Sequence, residues 1–418
     1  MRFFLQKLEV NNYEKTIESD QLAKFIKKNG ERPTIFKINS YKFPIVSGLI
    51  NNREKIALAL GVDKTKIISF MIEKLNNLKK CNLTKNAPFL ENKIKLSPEL
   101  QIDQFLPVID FYRGKMYTTS SIVICNFPGE ERQNASFHRM MYLGNNMFSI
   151  RVVAQRHLDK AYVNAIENNR DLKVAVVFGV HPAIEIAAAF SAPNIDELEL
   201  ASAILDGLDV CQLSNGINVP SNSEFVIEGR ITKDFAPEGP FVDLTGTADI
   251  VRQQPILEAD ILYFRDEPLF RTILPGGKEH RMLMGVTQEP RIYKGIQNTI
   301  PTVMNVILTQ GGCSWLHAIV QIKKRTEGDP KNAIMAALAS HPSLKRVIIV
   351  DDDVDINDSD DIEWAIATRV QPNKDIIFIP NAKGSSLDPS SDDSLTCKWG
   401  IDATKPLKNN ESYNKVEF

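Results

Sequence analysis

The chain has 418 residues, of which 43% are hydrophobic and 24% are charged, the balance of a folded protein with a substantial core. Its 50 basic and 52 acidic side chains leave a net charge of −2, so no global field attracts nucleic acid or an anionic membrane. No apolar run approaches the roughly 20 residues needed to span a bilayer, and we therefore expect a cytoplasmic protein whose partner is a small molecule.

The cysteines are spaced far apart along the chain, at Cys81, Cys125, Cys211, Cys313 and Cys397. An odd number of scattered thiols without a C-x-x-C pair favours neither a disulfide framework nor a zinc knuckle. We expect reduced thiols, as in the cytosol.

Residues 1–105 predict an N-terminal α/β domain. The segment PTIFKI (33–38) is typical of a strand. Asp63 can cap a helix with one apolar face, which is formed by Ile67, Ile68, Met71, Ile72, Leu75 and Leu78. Proline and polar residues in SPELQIDQFLPVID (97–110) indicate a domain boundary.

Residues 106–295 predict a mainly antiparallel sheet or barrel, because short β-type runs recur between Gly, Asn and Pro residues. The runs are SSIVICNF (120–127), MFSIRVVAQ (147–155), KVAVVFGV (173–180), SEFVIEGRI (223–231) and ADILYF (259–264). Two segments interrupt them with a helical pattern, HPAIEIAAAF (181–190) and DELELASAIL (196–205).

Residues 296–418 predict a second α/β domain. A helix beginning at Asp329 is followed by the strand RVIIV (346–350), a helix in DDIEWAIATRV (360–370) and the strand DIIFI (375–379). This β-α-β order predicts parallel strand pairing.

The acidic run DDDVDINDSDD (351–361) begins like a calcium-binding loop. Its sixth position is Ile356, where such a loop needs Gly, and its twelfth is Ile362, where a bidentate Glu belongs. Calcium is therefore not expected, and the run is interpreted as a solvated strand end followed by a helix N-terminus.

Two other segments suggest chemistry. In EGPFVDLTG (238–246), Glu238 and Asp243 flank a Gly-Pro pair that no regular element favours, which indicates a loop that holds something. In ERQNASFHR (131–139), amide, hydroxyl and basic side chains follow one another. The common dinucleotide, phosphate-loop and zinc-protease motifs do not occur in the sequence.

Taken together, three pieces resemble the UbiD family of reversible decarboxylases. They are ERQN with an Arg five residues after the Asn, EFVIEG around Glu228, and PEGPFVDLTG around Glu238 and Asp243. The segments VIIVDDDVDINDSDDIEWAIATR and KWGIDAT are similar to the family's C-terminal domain. The resemblance thus extends from about residue 110 onward.

The resemblance implies a prenylated FMN cofactor, held through its phosphate by a divalent metal, Mn²⁺ or Mg²⁺, with K⁺ nearby. The family's Asn, His and Glu ligands fall on Asn134, His157 and Glu228. An amide oxygen, an imidazole and a carboxylate suit a fairly hard ion such as Mn²⁺. Further cofactor contacts are expected from Ser136, Phe137, Arg139, Arg156 and Lys398. For Lys398, an ordinary surface or interface lysine is the alternative.

The resemblance also implies a catalytic trio of Arg139, Glu238 and Asp243. Arg139 would orient the substrate acid while Glu238 fixes its guanidinium through charge-assisted hydrogen bonds. Asp243 would deliver a proton after CO₂ leaves, and burial or the like charge of Glu238 would help it to hold that proton. The electron sink for the reaction is the cofactor's own.

The substrate expectation rests on LTGTAD (244–249), which follows the acid where the ubiquinone-pathway branch carries an aromatic pair after TG. The chain is most similar to the archaeal branch that converts trans-anhydromevalonate 5-phosphate to isopentenyl phosphate in a modified mevalonate pathway. The alternatives are an aromatic acid decarboxylase of 4-hydroxybenzoate or cinnamate type, and a non-catalytic flavin-binding or assembly protein.

For architecture, the resemblance implies an N-terminal α/β domain, a central split β-barrel of the flavin-reductase type that holds the cofactor, and a C-terminal α/β domain used in dimerisation. It also implies a homo-oligomer, either a dimer or a hexamer, and a flavin prenyltransferase that supplies the cofactor. Neither nucleic acid nor membrane is expected as a partner.

Overall fold

The computed structural model describes residues 1–408 and 410–416. By internal contacts the chain forms two compact units, Met1–Leu283 and Met284–Phe418. The first unit includes both the segment 1–105 and most of the segment 106–295, and the division into three domains at these boundaries remains a prediction. In the described part of the chain, no helix is both long and apolar enough to cross a membrane.

The helices are α1 (Arg2–Leu5), α2 (Leu22–Lys28), α3 (Arg53–Leu60), α4 (Ile67–Asn76), α5 (His157–Glu167), α6 (Pro182–Ala188), α7 (Glu197–Leu205), α8 (Lys278–Val286), α9 (Glu289–Gln297), α10 (Asp329–Ser340), α11 (Ser359–Arg369) and α12 (Pro372–Asp375).

The strands of the first unit are β1 (Asn11–Ile17), β2 (Thr34–Ile38), β3 (Ile45–Ser47), β4 (Asn82–Leu83), β5 (Asn92–Lys95), β6 (Ile109–Tyr112), β7 (Lys115–Thr118), β8 (Ile122–Asn126), β9 (Gln133–Phe137), β10 (Met140–Gly144), β11 (Met147–Ile150), β12 (Leu172–Phe178), β13 (Asp209–Gln212), β14 (Asn218–Pro220), β15 (Phe225–Glu238), β16 (Phe241–Val242), β17 (Ala248–Asp249), β18 (Arg252–Phe264) and β19 (Phe270–Arg271). Those of the second unit are β20 (Val303–Leu308), β21 (His317–Ile322), β22 (Arg346–Val350), β23 (Ile376–Lys383) and β24 (Leu395–Ala403).

A ten-stranded sheet dominates the first unit. Its order is β6-β7-β10-β11-β18-β15-β12-β8-β9, and β5 also pairs with β18. Every pairing in it is antiparallel, as the recurring short runs predict. The strands β15 and β18 pair from Phe225 opposite Phe264 to Glu238 opposite Arg252, with two register shifts between. This long pair delivers Glu238 to the end of the sheet.

The core of the first unit lies on this sheet. Side chains that alternate along β12 and β15 bury one face of each strand, which is the pattern of a sheet packed on a core. Examples are Val174, Val176, Phe178, Phe225 and Ile227. Helix α5 packs on the same cluster through Leu158 and Ala161.

The N-terminal segment forms a smaller four-stranded sheet in the order β1-β2-β3-β19. The predicted strand PTIFKI is β2. The edge strand β19, which follows the strands of the large sheet in the sequence, runs parallel to β3. Strand β5 of the N-terminal segment in turn pairs with β18 of the large sheet. These two exchanges place residues 1–105 and the large sheet in one unit.

Asp63 caps a short 3₁₀ turn, Lys64–Lys66, rather than α4 directly. Its Oδ1 accepts a hydrogen bond from the Thr65 amide at 2.8 Å. Helix α4 follows at once and buries Ile67, Ile68 and Met71, as the apolar periodicity predicts. It ends at Asn76, so the predicted face does not extend to Leu78, which is exposed.

The second unit holds a five-stranded sheet in the order β20-β21-β22-β24-β23. The strand RVIIV is β22, and it pairs in parallel with β21 and β24, as the β-α-β order predicts. The predicted partner DIIFI is instead β23, an edge strand antiparallel to β24, and β20 is the other antiparallel edge. The prediction of parallel pairing between RVIIV and DIIFI is therefore wrong, because β24 from later in the chain lies between them. Apolar side chains of these strands pack with α11 through Ile362 and Ala365.

The acidic run after β22 is only partly solvated. Asp358 caps α11 by accepting from the Asp360 amide at 2.9 Å, as predicted for a helix N-terminus. Asp351 and Asp353 instead pair with Arg369 at 3.3 and 2.8 Å, and Asp353 also with Lys405 at 3.0 Å. These two aspartates balance the charge of the buried Arg369 guanidinium, a pairing that the acidic run alone does not reveal.

Arg271 of β19 is fully buried between two carboxylates. Its guanidinium donates to Glu185 of α6 at 3.0 Å and to Glu279 of α8 at 2.7 Å. Glu279 also accepts from the backbone amides of Gly48 and Ile50 at 2.6 and 2.9 Å. One cation therefore ties two helices and the loop after β3 to the same strand.

Replacing Arg271 by Met should lower the free energy of unfolding by roughly 3–5 kcal/mol, because it leaves two buried carboxylates without their cation. Burial already raises the pKa of Glu185, against the opposing effect of Arg271. A carboxyl whose folded pKa lies above its unfolded value contributes less stability as pH rises. The deficit, measured by urea denaturation and circular dichroism, should therefore be larger at pH 8 than at pH 5.

The matched control is Arg230→Met, because Arg230 pairs with Asp260 and Glu258 on the exposed side of the sheet. Exposed pairs contribute about 1 kcal/mol or less. Equal losses for the two variants would contradict the central role of the Arg271 cluster.

Candidate active site

Arg139 lies in the bend between β9 and β10, with its guanidinium turned into a group of carboxylates. Its Nε and Nη2 donate to the two oxygens of Glu238, each at 2.9 Å, in a bidentate pair. Its Nη1 lies 3.3 Å from Asp243 Oδ2. Although burial opposes a charge here, the bonds and charges of the carboxylates outweigh it and raise the pKa of Arg139.

Glu238 is the last residue of β15 and is fully buried. Besides Arg139, it accepts a hydrogen bond from the Tyr117 hydroxyl of β7 at 2.7 Å. Burial and the Glu238 charge raise the pKa of Tyr117, so the phenol stays a donor. Each oxygen of this carboxylate is thus held by at least one strong donor.

The turn after Glu238 brings the second carboxylate back to the same guanidinium. Gly239 has φ +107°, and a Cβ there would lie 3.0 Å from the Ile250 carbonyl oxygen, so only glycine fits. The Gly239–Pro240 peptide is cis. After β16, Asp243 Oδ1 accepts from the Leu244 amide at 2.6 Å and Oδ2 faces Arg139.

The predicted trio therefore meets around one guanidinium, and the Gly-Pro turn makes this possible. The Phe241 ring lies under Arg139, with its centroid 4.5 Å from Cζ, a cation–π contact. The structure brings Arg139, Glu238 and Asp243 together; their chemical roles remain predictions.

The sequence did not point to two further residues of this cluster, Asp249 and Arg252. Asp249 Oδ2 accepts from Arg139 Nη2 at 2.7 Å, and its Oδ1 accepts from Arg252 Nη1 at 2.6 Å. Burial disfavours the Asp249 charge, but the two arginines outweigh it and lower the pKa of the carboxyl. The signal was available in TGTADIVR, where a hairpin turn would place Asp249 opposite Phe241.

His280 of α8 lies beside the loop that carries Asp243. Its Nδ1 accepts from the Gly276 amide at 3.1 Å, and a Cβ on Gly276 would lie 2.9 Å from the Asp243 carbonyl oxygen. Burial lowers the pKa of His280, and the Asp243 charge opposes this without reversing it. The imidazole is thus a neutral neighbour of the trio near neutral pH.

A chain of hydrogen bonds runs along β9 toward Arg139. Asn134 Nδ2 donates to Ser136 Oγ at 3.0 Å, and Ser136 Oγ is 2.9 Å from His138 Nε2. His138 Nδ1 is 2.7 Å from the Arg151 carbonyl oxygen. The buried Asn134 Oδ1 has no hydrogen-bond partner among residues 1–408 and 410–416, so an acceptor oxygen is left for a ligand.

His157 begins α5 and faces a buried carboxylate that the sequence analysis did not select. Its Nδ1 is 3.7 Å from Glu197 Oε1, and Glu197 Oε2 accepts from the Ala135 amide at 2.9 Å. Glu197 begins α7 and is 2% exposed; burial raises its pKa, against the effect of His157. An imidazole and a carboxylate thus face each other beside Ala135, the residue that follows Asn134 on β9.

Glu228, the predicted third ligand, is not in this group. It bonds to Ser214 Oγ at 2.5 Å and to the Tyr263 hydroxyl at 3.1 Å. On β15 it lines up with Ala175, Ile124 and Ala135 in successive strands, so three spacings of about 4.8 Å separate it from β9. The assignment of Glu228 as a metal ligand remains a prediction, and Glu197 is the carboxylate that faces His157.

The remaining predicted cofactor contacts lie in different places. Arg156 precedes α5 and donates to Ser191 Oγ at 2.7 Å, and Phe137 ends β9, half-buried and paired with Ile122. Lys398 belongs to β24 in the second unit, where it donates to the Pro342 carbonyl at 2.6 Å. Burial lowers the pKa of Lys398.

No group of three or more His, Cys, Asp or Glu side chains suited to a metal occurs within the described ranges. Near β9 the chain offers the buried amide oxygen of Asn134 and, facing each other, the side chains of His157 and Glu197.

Comparison with known proteins identifies the family. The model of the 3-octaprenyl-4-hydroxybenzoate carboxy-lyase Rift-related domain matches residues 81–278, and that of the carboxy-lyase C-terminal domain matches residues 281–403. A protein of Methanocaldococcus jannaschii named anhydromevalonate phosphate decarboxylase is 45% identical over 424 residues, which cover 100% of this chain and 99% of that protein. The chain belongs to the UbiD family.

Solved structures agree with this placement. The UbiD-class enzyme HmfF from Pelotomaculum thermopropionicum, in complex with FMN, superposes with a TM-score of 0.96 at 32% identity, covering 100% of this chain and 97% of that one. An evolved dimeric form of that enzyme with prFMN gives 0.91 at 30% identity, with 100% and 96% covered. The predicted multidomain architecture and the prediction of a UbiD-type decarboxylase are confirmed, and a flavin cofactor is supported.

Replacing Glu238 by Gln should lower the free energy of unfolding by about 3 kcal/mol, because Arg139 loses the bidentate partner of a buried pair. The comparison variant is Glu258→Gln, whose carboxylate pairs with Arg230 at the half-exposed surface of β18. Urea denaturation of both proteins without cofactor measures the difference. A Glu238→Gln protein as stable as Glu258→Gln would show that the site does not depend on this pair.

Proposed function

We propose that this protein catalyses the non-oxidative decarboxylation of trans-anhydromevalonate 5-phosphate to isopentenyl phosphate, a step of a modified mevalonate pathway of isoprenoid biosynthesis. The observation that carries the proposal is the end-to-end 45% identity to a protein named anhydromevalonate phosphate decarboxylase. The cluster of Arg139, Glu238 and Asp243 supplies groups suited to orient an acid and return a proton to it.

Within this proposal, the chain binds prenylated FMN through its phosphate and a divalent metal, Mn²⁺ or Mg²⁺, with K⁺ nearby. The residues fit such a group, because Asn134 Oδ1 is buried without a partner among the described residues and the next residue, Ala135, bonds through its amide to Glu197, which faces His157. These three supply hard and borderline donors that suit Mn²⁺. When bound, the prenylated flavin supplies an electron sink for the departure of CO₂.

The roles of the chain's own residues follow from their contacts. Arg139 keeps an Nη1 hydrogen directed away from Glu238 and can orient the substrate carboxylate, while Glu238, held by Tyr117, fixes the guanidinium. Asp243, with the longest bond to Arg139, delivers the proton to the carbon that loses CO₂. Ser136, Phe137, Arg156 and Lys398 are proposed as further cofactor contacts.

The proposal extends to the cellular setting. We expect a cytoplasmic homo-oligomer, a dimer or a hexamer, that receives its cofactor from a flavin prenyltransferase. The likeness to a vanillic acid decarboxylase of Sedimentibacter hydroxybenzoicus, at 25% identity, keeps an aromatic acid decarboxylase of 4-hydroxybenzoate or cinnamate type as a second candidate.

The direct test is product analysis by mass spectrometry of the protein loaded with prenylated FMN, Mn²⁺ and K⁺. It is given trans-anhydromevalonate 5-phosphate and, separately, a panel of aromatic acids. Isopentenyl phosphate from the first supports the proposal. Turnover of the aromatic panel alone would replace the substrate, and silence in both with cofactor bound would favour the non-catalytic alternative.

In the same assay, Asp243→Asn should retain flavin absorbance and lose activity by about 10²–10⁴-fold, because its amide has no proton to deliver at neutral pH. Asp234→Asn, on the exposed part of β15, is the control and should keep wild-type activity. Near wild-type turnover by Asp243→Asn would contradict the assignment of the proton donor.

For the metal, Glu197→Gln should weaken Mn²⁺ binding at least about tenfold, since a neutral amide replaces an anionic ligand. Glu228→Gln should bind Mn²⁺ like wild type, because Glu228 bonds to Ser214 and Tyr263 instead. Metal content after dialysis against graded Mn²⁺, in the presence of FMN, checks both. Loss of Mn²⁺ in Glu228→Gln alone would restore the original ligand assignment.

A further inference from the structure

Asp249 is a fourth charged member of the cluster, beyond the trio. It lies opposite Phe241 in the β16–β17 hairpin, and its side chain is 12% exposed. One oxygen accepts from Arg139 at 2.7 Å, and the other accepts from Arg252 at 2.6 Å and from the Ile250 amide at 2.9 Å. Asp249 is therefore clamped between two arginines.

The carboxylates around Arg139 are held unequally. Glu238 receives two guanidinium bonds at 2.9 Å and Asp249 receives one at 2.7 Å, whereas the single contact of Asp243 measures 3.3 Å. Glu238 and Asp249 share the Nη2 nitrogen and together fix the plane of the guanidinium. Asp243 meets only Nη1.

This inequality separates the three carboxylates by task. Glu238 and Asp249 are held by short charge-assisted bonds and fix the guanidinium, whereas Asp243 gives up only one long bond when it engages a substrate. The Oδ1 bond to the Leu244 amide still holds Asp243 in place.

Other polar groups facing the cluster do not change this order. Tyr117 donates to Glu238 and helps to hold it against Arg139. His280 accepts from the Gly276 amide, and the half-buried Arg151 donates to the Val152 carbonyl at 3.1 Å. Burial and the like charges of Arg252 and Arg139 lower the pKa of Arg151.

We propose that Asp249 is a positioning residue for the reaction: backed by Arg252, it fixes the Arg139 guanidinium and leaves Asp243 as the acid that carries the proton. The proposal rests on the proposed function, because it assigns a task within that decarboxylation. In this scheme Asp249 does not contact the reacting atoms.

The kinetic test compares Asp249→Asn and Asp249→Glu with the wild type as holoenzymes over a range of pH. Asp249→Asn should lower kcat about 10²-fold at pH 7, because Arg139 and its partners lose their fixed geometry. Because the variant removes one negative charge from the cluster, the kcat–pH profile should also fall off about one pH unit lower. Asp249→Glu should restore part of both effects.

The matched control is Asp260→Asn, which removes an aspartate bonded to Arg230 at 2.6 Å on the exposed side of the sheet. It should stay within about twofold of wild type with an unmoved pH profile. An Asp249→Asn enzyme with a wild-type profile would overturn the proposal. So would a loss of kcat that is uniform in pH and is not relieved in Asp249→Glu, since that pattern reports general damage.

A readout without cofactor separates this proposal from the proposed function. Side-chain ¹H–¹⁵N spectra, with Arg139 signals assigned through Arg139→Lys, should show slowly exchanging guanidinium protons that disappear in Asp249→Asn and persist in Asp260→Asn. Persistence in Asp249→Asn would overturn the positioning role. If the signals disappear as expected while the wild type makes no isopentenyl phosphate, the substrate assignment fails and the positioning of Arg139 stands.

Discussion

The buried charge of Arg139 is the constraint on which the site depends. A guanidinium that is largely removed from water is tolerated only where anions and hydrogen-bond acceptors surround it. Glu238 at the end of β15, Asp243 in the following loop and Asp249 in the hairpin supply the anions. Because each comes from a different local structure, the cation also fixes these segments relative to one another.

The long strand pair makes this arrangement rigid. The strands β15 and β18 pair until Glu238 lies opposite Arg252, so the same ladder that ends in the buried glutamate begins with the arginine behind Asp249. Between them, the chain makes a turn at Gly239 and a two-stranded hairpin, β16–β17. A site built on strand ends has less freedom than one on an open loop, which suits a reaction that requires fixed geometry.

The strand β9 links the two polar groups of the first unit. Asn134 lies near its start and Arg139 just past its end, so an extended chain of five residues separates them by at most about 17 Å. Asn134 and the carboxylate cluster around Arg139 are therefore at opposite ends of one short segment. This spacing supports the proposal of a single elongated cofactor whose phosphate and reactive ring contact different groups.

Much was available in the sequence. Short β-type runs between turn residues predict the antiparallel middle, and the β-α-β order predicts parallel pairing for β22, because both patterns are local. That DIIFI would become an antiparallel edge was not a local property. The motifs around Asn134, Arg139, Glu238 and Asp243 likewise carry their resemblance in contiguous residues. Only the tertiary structure decided that Glu197, and not Glu228, lies beside His157, and that Asp249 and Arg252 complete the Arg139 cluster. Those choices depend on strand order and on how two helices begin against a sheet, which bring together residues that lie far apart in the chain.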